Sequence, residues 1–121
     1  MLKWFAGDQI RNVSAIGGNL MTASPISDLS PILMAAGATV RYGENLKEIS
    51  SAPLDENFFT GYRKTIIPNT NTLLDITIPN CNDDSYFLAY KQSKRKEDDI
   101  AIVNAAFHVS FGILGGSQNF L

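Results

Sequence analysis

The residues best suited to chemistry lie between positions 14 and 28, in the run SAIGGNLMTASPISD. Adjacent glycines such as Gly17 and Gly18 allow positive φ and let a ligand approach the backbone with no Cβ in the way. Backbone N–H groups exposed in such a turn can bind an anion. Hydroxyl groups that could hydrogen-bond a polar cofactor follow at Thr22, Ser24 and Ser27. The run therefore suits a ligand that carries both charge and polar groups.

The same run also has a simpler interpretation. A Gly-Gly pair more often forms a plain turn than a ligand cradle. An acidic residue ahead of an apolar segment, here Asp28, more often caps a helix or lies in its first turn. On residue chemistry alone we therefore expect a turn at the glycines and a cap at Asp28, with the ligand cradle as the alternative.

A second charged segment, SKRKEDD, ends at Asp99. In this segment three basic residues come first and three acidic residues follow: Lys94, Arg95 and Lys96, then Glu97, Asp98 and Asp99. Acids beside the bases would repel phosphate, which disfavours a nucleic-acid site. A solvated charged turn is the simple alternative to a functional loop.

Composition limits the classes of function. The chain has 121 residues, 45% of them hydrophobic and 18% charged, which is typical of about one globular domain. A net charge of -2 is too small and of the wrong sign to bind nucleic acid or anionic lipid. The single cysteine, Cys81, cannot form an internal disulfide or by itself hold a metal. With no apolar run of ~20 residues and no signal peptide, we predict a cytoplasmic protein with no membrane partner and no metal site.

The elements that must position these residues begin with a helix. Pro31 suits a first helical turn and Gly37 suits a helix end, and Ser27 or Ser30 can cap the start. Together these residues predict a helix over about residues 28–36. Alternating apolar residues follow, and then turn chemistry at residues 43–45. This pattern predicts a β-hairpin.

Three further segments have the alternation of strands. The segment TLLDITIP predicts a strand with Leu74, Ile76 and Ile78 on one face. The polar run NCNDDS behind it predicts a domain boundary near residues 80–85. Beyond that boundary, YFLAYKQ and AIVNAAFHVSF predict two more strands, the second with alternate residues of 101–111 on one face.

Three blocks of sequence carry a resemblance to a known family: LKWFAGDQIRNVSAIGGNLMTASPISDLSPILMAAGA, FFTGYRKT and YKQSKRKEDDIAIVNAAFHVSF. In this order they resemble the flavin-binding segment of eukaryotic xanthine dehydrogenases. The resemblance implies an α+β fold. Residues 1–80 would form the second, C-terminal half of a PCMH-type FAD-binding domain, and residues 85–121 the first strands of a CO dehydrogenase flavoprotein C-terminal domain.

The resemblance also implies which residues surround FAD. Those at its phosphates and sugar are Ser14, Gly17, Gly18 and Asn19. Those on the flavin and ribityl side are Thr22, Ser24 and Asp28. Phe5 and Leu73 would lie near the adenine and Lys91 beside the flavin ring. For Leu73 a core position is the simple alternative, and for Lys91 a solvated surface position.

In the same family, rearrangement of the charged loop controls whether NAD or oxygen takes the electrons. The resemblance therefore implies an electron-acceptor switch loop that contains Lys96, Asp98 and Asp99. Lys96 and Lys3 stand where the family often has arginine. Because lysine lacks the forked donors of arginine, the contacts that lock this loop in the family are not guaranteed here.

The function implied is that of a flavin segment in a xanthine dehydrogenase-like oxidoreductase, in which electrons pass from iron–sulfur clusters through FAD to NAD or oxygen. The clusters and the molybdopterin would be bound elsewhere in the full-length enzyme. Two alternatives are the flavin segment of an aldehyde oxidase and a truncated, non-catalytic fragment. The motifs GGN and KEDDIA favour the dehydrogenase over the aldehyde oxidase.

Further expectations concern the whole enzyme. The resemblance implies a homodimer, located in the cytoplasm or alternatively in the peroxisome. We assign no catalytic residue to these 121 residues, and we expect the isolated chain to be inactive. The choice between a purine and an aldehyde substrate would be made in a domain that this sequence does not contain.

Overall fold

The computed structural model describes residues 2–111, in which short helices precede the strands. The helices are a 3-10 turn at Leu2–Trp4, α1 at Asp8–Arg11, α2 at Ile16–Thr22 and α3 at Ser30–Ala35. The strands are β1 at Thr39–Gly43, β2 at Ile49–Pro53, β3 at Phe59–Gly61, β4 at Lys64–Thr65, β5 at Thr72–Thr77, β6 at Ser85–Gln92 and β7 at Val103–Ser110. Within residues 2–111, none of the helices has the length and apolar character needed to cross a membrane. The part of the predicted second domain at 112–121 lies outside the described residues.

The glycine pair lies inside helix α2, so the predicted turn is wrong. Neither Gly17 nor Gly18 has positive φ, and among glycines of the described segment only Gly37 does. Each glycine costs a helix about 1 kcal/mol relative to alanine. The same helix buries Leu20 to 1% exposure, and burying a leucine contributes about 1.5–3 kcal/mol. Tertiary packing therefore overrides the local propensity of the glycines.

Helix α3 is shorter than predicted and is capped by a different group from Asp28. The Ser27 hydroxyl accepts a hydrogen bond from the Ser30 N–H at 3.2 Å, ahead of Pro31 in the first turn. The helix ends at Ala35, and Gly37, the predicted stop, follows it with φ +67°. The prediction that Asp28 caps the helix is wrong, because its carboxylate bonds to side chains of β6 and β7.

The predicted hairpin is formed by β1 and β2, which pair antiparallel from Thr39 opposite Pro53 to Gly43 opposite Ile49. On its other edge β1 pairs antiparallel with β5, giving the strand order β2-β1-β5. Residues 44–48 connect the hairpin strands, so the turn extends beyond the predicted residues 43–45.

Strand β5 is interrupted by a bulge that changes which residues face the core. Arg41 pairs with Asp75 while the next residue of β1 pairs with Leu73, so Leu74 is left as the extra residue. Leu73 and Ile76 pack against the core cluster. The predicted common face of Leu74, Ile76 and Ile78 is therefore wrong, because a bulge breaks the period of two.

The hydrophobic core lies between α2, α3 and the three-stranded sheet. Its largest fully buried side chains are Leu20, Val40 and Phe58, each below 2% exposure. Phe58 directly precedes the short ribbon of β3 and β4, and its ring meets that of Phe59 edge-on at 5.1 Å between centroids. This core fixes α2, which carries the glycine pair.

Strands β6 and β7 form a second antiparallel hairpin, from Ser85 opposite Ser110 to Gln92 opposite Val103. Both strands were predicted, and the structure confirms them. One face of the hairpin packs against α3. The opposite face, which includes the predicted common face of β7, carries exposed apolar side chains at Tyr86, Leu88, Tyr90, Phe107 and Val109.

Candidate functional site

Two adjoining cavities lie beside α2 and share two residues, Phe5 and Asn19. The larger encloses about 490 Å³ and the smaller about 390 Å³. Each is within the size range of small-molecule sites, which is about 300–1,000 Å³. Because Phe5 and Asn19 line both cavities, one elongated ligand could occupy the two together.

The larger cavity is walled by the N-terminal turn, α1 and the first turns of α2. The predicted site residues that line it are Phe5, Ser14, Gly18, Asn19 and Thr22. Its other lining residues are Leu2, Arg11, Ala15, Ile16 and Leu29. A Cβ placed on Gly18 would meet nothing within 4 Å, so the bare backbone there borders open space. Gly18 thus leaves room for the close approach predicted for a glycine, although it lies within a helix instead of a turn.

Hydroxyl groups in the larger cavity are oriented by backbone carbonyls. Ser14 donates to the carbonyl of Ile10 at 2.7 Å, and Thr22 donates to that of Gly18 at 2.7 Å. A hydroxyl whose proton is committed in this way offers its lone pairs to a ligand. Both side chains therefore suit donor groups, such as the hydroxyls of a sugar, better than they suit a phosphate.

The smaller cavity brings the polar run together with the charged loop. Its lining includes Ser24, Asp28, Asp98 and Asp99 of the predicted set, and Arg95, which was not predicted as a site residue. Asn19, in the wall shared by the cavities, accepts a hydrogen bond from Ser27 through its Oδ1 at 3.0 Å. Its side-chain amide is thereby held between helix α2 and the start of α3.

Asp28 and Lys91 form a buried ion pair beside the smaller cavity. Lys91 Nζ lies 2.7 Å from Asp28 Oδ2, and the two side chains are 3% and 8% exposed. Lys91 also donates to the carbonyl of Trp4 at 3.2 Å. Asn104 on β7 donates through Nδ2 to the other carboxylate oxygen of Asp28 at 3.3 Å. The surface position considered for Lys91 is therefore wrong, because the ammonium group is enclosed by these partners.

The charged loop is closed on itself by Asp99. Its carboxylate accepts hydrogen bonds from the N–H of Arg95 at 2.9 Å and of Ile100 at 3.0 Å. These bonds favour the ionised form, with the Arg95 N–H as the largest cause, and lower the pKa of Asp99 from its ordinary value. Asp98 sits in the left-handed region with φ +50°, and Lys96 is exposed.

Two predicted site residues lie against each other in a neighbouring groove. Gly17 and Leu73 both line a depression of about 280 Å³ that shares Ile16 with the larger cavity. A Cβ on Gly17 would lie 3.5 Å from Leu73 Cδ2, which is ordinary contact. Leu73 is partly buried and also packs against the core cluster.

Besides Arg95, two residues that contact or line this site were missed from the sequence. Asn104 contacts Asp28 from 76 residues away, and Arg11 lines the larger cavity. Neither belongs to a motif with recognisable spacing, because each acts through a contact that only the folded chain creates. The ion pair of Asp28 with Lys91 had no signal in the sequence for the same reason, since 63 residues separate the partners.

The comparison with protein families is decisive. The model described as the FAD binding domain in molybdopterin dehydrogenase matches residues 1–81. The chain belongs to this FAD-binding family. A second family model, the CO dehydrogenase flavoprotein C-terminal domain, matches residues 88–119.

Relatives of this FAD-binding chain include xanthine dehydrogenases, which confirms the resemblance drawn from the sequence. It is 53% identical to the xanthine dehydrogenase/oxidase of Gallus gallus over 91% of the chain, and 47% identical to the xanthine dehydrogenase of Calliphora vicina over 90%. It is also 49% identical to a nicotinate hydroxylase of Emericella nidulans over 89%. In each case the matched region is 8% of the length of the relative.

Solved structures confirm the α+β fold of the FAD-binding family. Reconstituted CO dehydrogenase from Oligotropha carboxidovorans superposes with a TM-score of 0.79 at 22% identity, over 90% of this chain and 37% of that one. Quinoline 2-oxidoreductase from Pseudomonas putida 86 gives a TM-score of 0.78 at 23% identity, over 91% and 37%.

The cavities fit the cofactor of the family. FAD joins an aromatic ring system through sugars and phosphates to an adenosine, so it needs an elongated site with both apolar and polar walls. The shared residue Phe5 offers an aromatic face, and the bare backbone at Gly18 leaves room for close approach. Ser14, Asn19 and Thr22 supply polar groups along the same wall. The residues present therefore match the chemistry of FAD.

Proposed function

We propose that this chain forms the FAD-binding segment of a xanthine dehydrogenase-like oxidoreductase. The observation that carries the proposal is the pair of adjoining cavities joined through Phe5 and Asn19, in a chain that belongs to the FAD-binding family. Bound FAD would supply electron transfer from iron–sulfur clusters to NAD or oxygen. The residues of this chain bind and orient the cofactor and shape the space around it.

We further propose a division into two parts. Residues 1–80 are the second half of the FAD-binding domain, and residues 85–121 begin the flavoprotein C-terminal domain. The separate sheets support this division, because β6 and β7 pair only with each other among the described strands. The buried contact of Lys91 with Asp28 then links the two parts next to the smaller cavity.

We assign FAD contacts to the residues predicted from the resemblance. Ser14, Gly18, Asn19 and Thr22 would bind along the larger cavity, and Ser24 and Asp28 along the smaller. Phe5 would pack between them. Gly17, Leu73 and Lys91 would act at the edges of the site, where they contact the lining segments.

The charged loop is proposed to influence the electron acceptor. Asp98 and Asp99 line the smaller cavity, where their negative charges would disfavour a reduced, anionic ring and repel the phosphates of NAD. In the intact enzyme, Asp98→Ala should change the ratio of NAD reduction to oxygen reduction. An unchanged ratio would show that the loop, Lys96 included, is only a solvated turn.

An enzyme carrying this segment would belong to the molybdenum hydroxylases, with a purine or another heterocycle as substrate, and would act as a homodimer in the cytoplasm or peroxisome. One relative is a nicotinate hydroxylase, so the proposal does not choose among these substrates. The segment itself offers no substrate site in this proposal. A non-catalytic flavin-binding role is the second candidate.

The test is a chimera with a known relative. The matching segment of the Gallus gallus xanthine dehydrogenase/oxidase, which is 53% identical, is replaced by this chain, and the FAD content per protein is measured after purification. Stoichiometric FAD and retained NAD reduction are expected. A folded chimera with iron–sulfur absorbance but no FAD would contradict the proposal. FAD without turnover would favour the non-catalytic candidate.

A further inference from the structure

Arg11, the last residue of α1, reaches back to the N-terminal segment. Its Nη1 donates to the carbonyls of Phe5 and Ala6, both at 2.7 Å, and to that of Lys3 at 3.3 Å. Its Nη2 is paired with the carboxylate of Asp8. The guanidinium group therefore connects the backbone of residues 3–6 with the helix that follows.

The backbone held in this way has an uncommon conformation. Ala6 has φ +45°, in the left-handed region that is unfavourable for an L-residue. In this conformation the carbonyls of Phe5 and Ala6 converge on one nitrogen of Arg11. Hydrogen bonds to a charged donor are stronger than those between neutral groups. The contacts of Arg11 therefore offset the cost of the turn.

This turn determines where the Phe5 side chain lies. Phe5 lines both cavities, and any change in its backbone would move the ring that separates them. We infer that Arg11 is a positioning residue, which clamps the carbonyls of residues 3–6 and so holds Phe5 at the junction of the cavities. The consequence for FAD rests on the function proposed above, whereas the clamp itself does not.

A direct attraction between Arg11 and a cofactor phosphate is the competing explanation, since Arg11 also lines the larger cavity. Both terminal nitrogens, however, bond to protein acceptors, and Asp8 supplies a compensating charge. Lysine separates the two explanations. It keeps the positive charge, but its one nitrogen cannot occupy both places at once: Nη1 of Arg11 binds the carbonyls while Nη2 pairs with Asp8.

The experiment uses the purified 121-residue chain, in which Trp4 is the sole tryptophan and lies within the clamped segment. Wild type, Arg11→Lys and Arg11→Gln are compared with Arg41→Gln, which removes an arginine that pairs with Asp75 on the sheet. Acrylamide quenching of Trp4 fluorescence measures the order of the segment without FAD. Titration of the corresponding Gallus gallus chimeric enzymes, freed of FAD, then gives the dissociation constant, and urea unfolding of the chain controls for global stability.

Both Arg11 variants should increase the quenching of Trp4 about twofold, because the segment opens locally. Both should weaken FAD binding about tenfold, equal to about 1.4 kcal/mol. Arg41→Gln should change neither. If the folded Arg11 variants show the same quenching of Trp4 as wild type, the clamp is overturned. This holds also when their urea midpoint is lower, because the midpoint reports global stability and not the order of residues 3–6.

Normal FAD affinity in Arg11→Lys, with weak binding in Arg11→Gln, would also overturn the inference and favour direct attraction to phosphate. If the chimeric enzyme with the wild-type segment binds no FAD while Trp4 of the chain responds as expected, the clamp stands and the proposed function of the chain fails. The two ideas are therefore tested separately by one set of variants.

Discussion

Lys91 and Asp28 meet through a 2.7 Å contact between Nζ and Oδ2, and both side chains are almost fully buried. The contact joins strand β6 to the residues that precede α3 and lies beside the smaller cavity. Asn104 and the carbonyl of Trp4 supply the further hydrogen bonds that a buried charge pair requires. This pair therefore couples the β6–β7 hairpin to the wall of the candidate FAD site.

Removing one member of the pair should be costly. Asp28→Asn leaves a buried ammonium group and Lys91→Met leaves a buried carboxylate, and each should lower the free energy of unfolding by about 3–5 kcal/mol. The double variant should lose less than the sum of the two, because no single charge is left buried. Urea unfolding of the four proteins gives the coupling energy.

The exposed pair of Arg41 and Asp75 is the matched control for this cycle, since it also joins two segments through a carboxylate. Exposed pairs contribute about 0–1 kcal/mol. Equal coupling energies for the two pairs would contradict the importance of burial at Asp28 and Lys91.

A substitution at Gly18 should separate stability from cofactor binding. Gly18→Ala replaces a helical glycine and should stabilise α2 by up to about 1 kcal/mol. Its Cβ would enter the open space beside the larger cavity, so FAD content of the chimeric enzyme should fall. Gly17→Ala is the comparison at the edge of the site and should lose less FAD, because its Cβ would face Leu73 at 3.5 Å instead of the larger cavity. Equal loss of FAD in the two variants would show that Gly18 has no special proximity to the cofactor.

Much of the fold was predictable because strands and helix ends have local signals. The alternation in β6 and β7, and Pro31 and Gly37 at α3, each depend on neighbouring residues only. The glycine pair failed as a turn because burial of Leu20 outweighs local propensity. The bulge at Leu74 arises from pairing with β1 and has no counterpart in the sequence of β5 alone.

The candidate site was predictable only in part. The small polar run and the charged loop have compositions that indicate a function, and the resemblance assigned residues within them to FAD. The contact of Asp28 with Lys91 depends on where two distant segments pack. The hydrogen bonds from Arg11 to backbone carbonyls likewise depend on the left-handed turn at Ala6. Such contacts are tertiary, so the spacing of residues along the sequence does not predict them.

Phe5 should contribute to FAD binding through its ring. Phe5→Ala removes the aromatic group shared by both cavities, and aromatic contacts contribute about 0.5–1.5 kcal/mol beyond burial. The rate of FAD loss from the chimeric enzyme should therefore rise by up to about tenfold. Phe107→Ala, on the exposed face of β7, is the control and should leave the rate unchanged. Equal rates of FAD loss for Phe5→Ala and wild type would show that the Phe5 ring does not contribute to FAD binding.

The charged loop should lose its order in acid. The Arg95 N–H, followed by that of Ile100, lowers the pKa of Asp99 from its ordinary value. A carboxyl whose pKa is lower in the folded chain stabilises it above the unfolded pKa, and this contribution is lost as pH falls through the folded value. Carboxyl chemical shifts of Asp99, followed by NMR against pH, should report the low pKa together with loss of loop order.

The cause of the low pKa of Asp99 can be tested at Arg95. Arg95→Ala removes the guanidinium group, which lies 3.9 Å from Asp99 Oδ1, but keeps the backbone N–H that donates at 2.9 Å. Because the backbone hydrogen bond is the largest cause, the pKa of Asp99 should stay low in this variant. Asp99→Asn should weaken the acid-dependent change in loop order. A return of the pKa to its ordinary value in Arg95→Ala would show instead that side-chain charge holds the loop, and salt should then disrupt it.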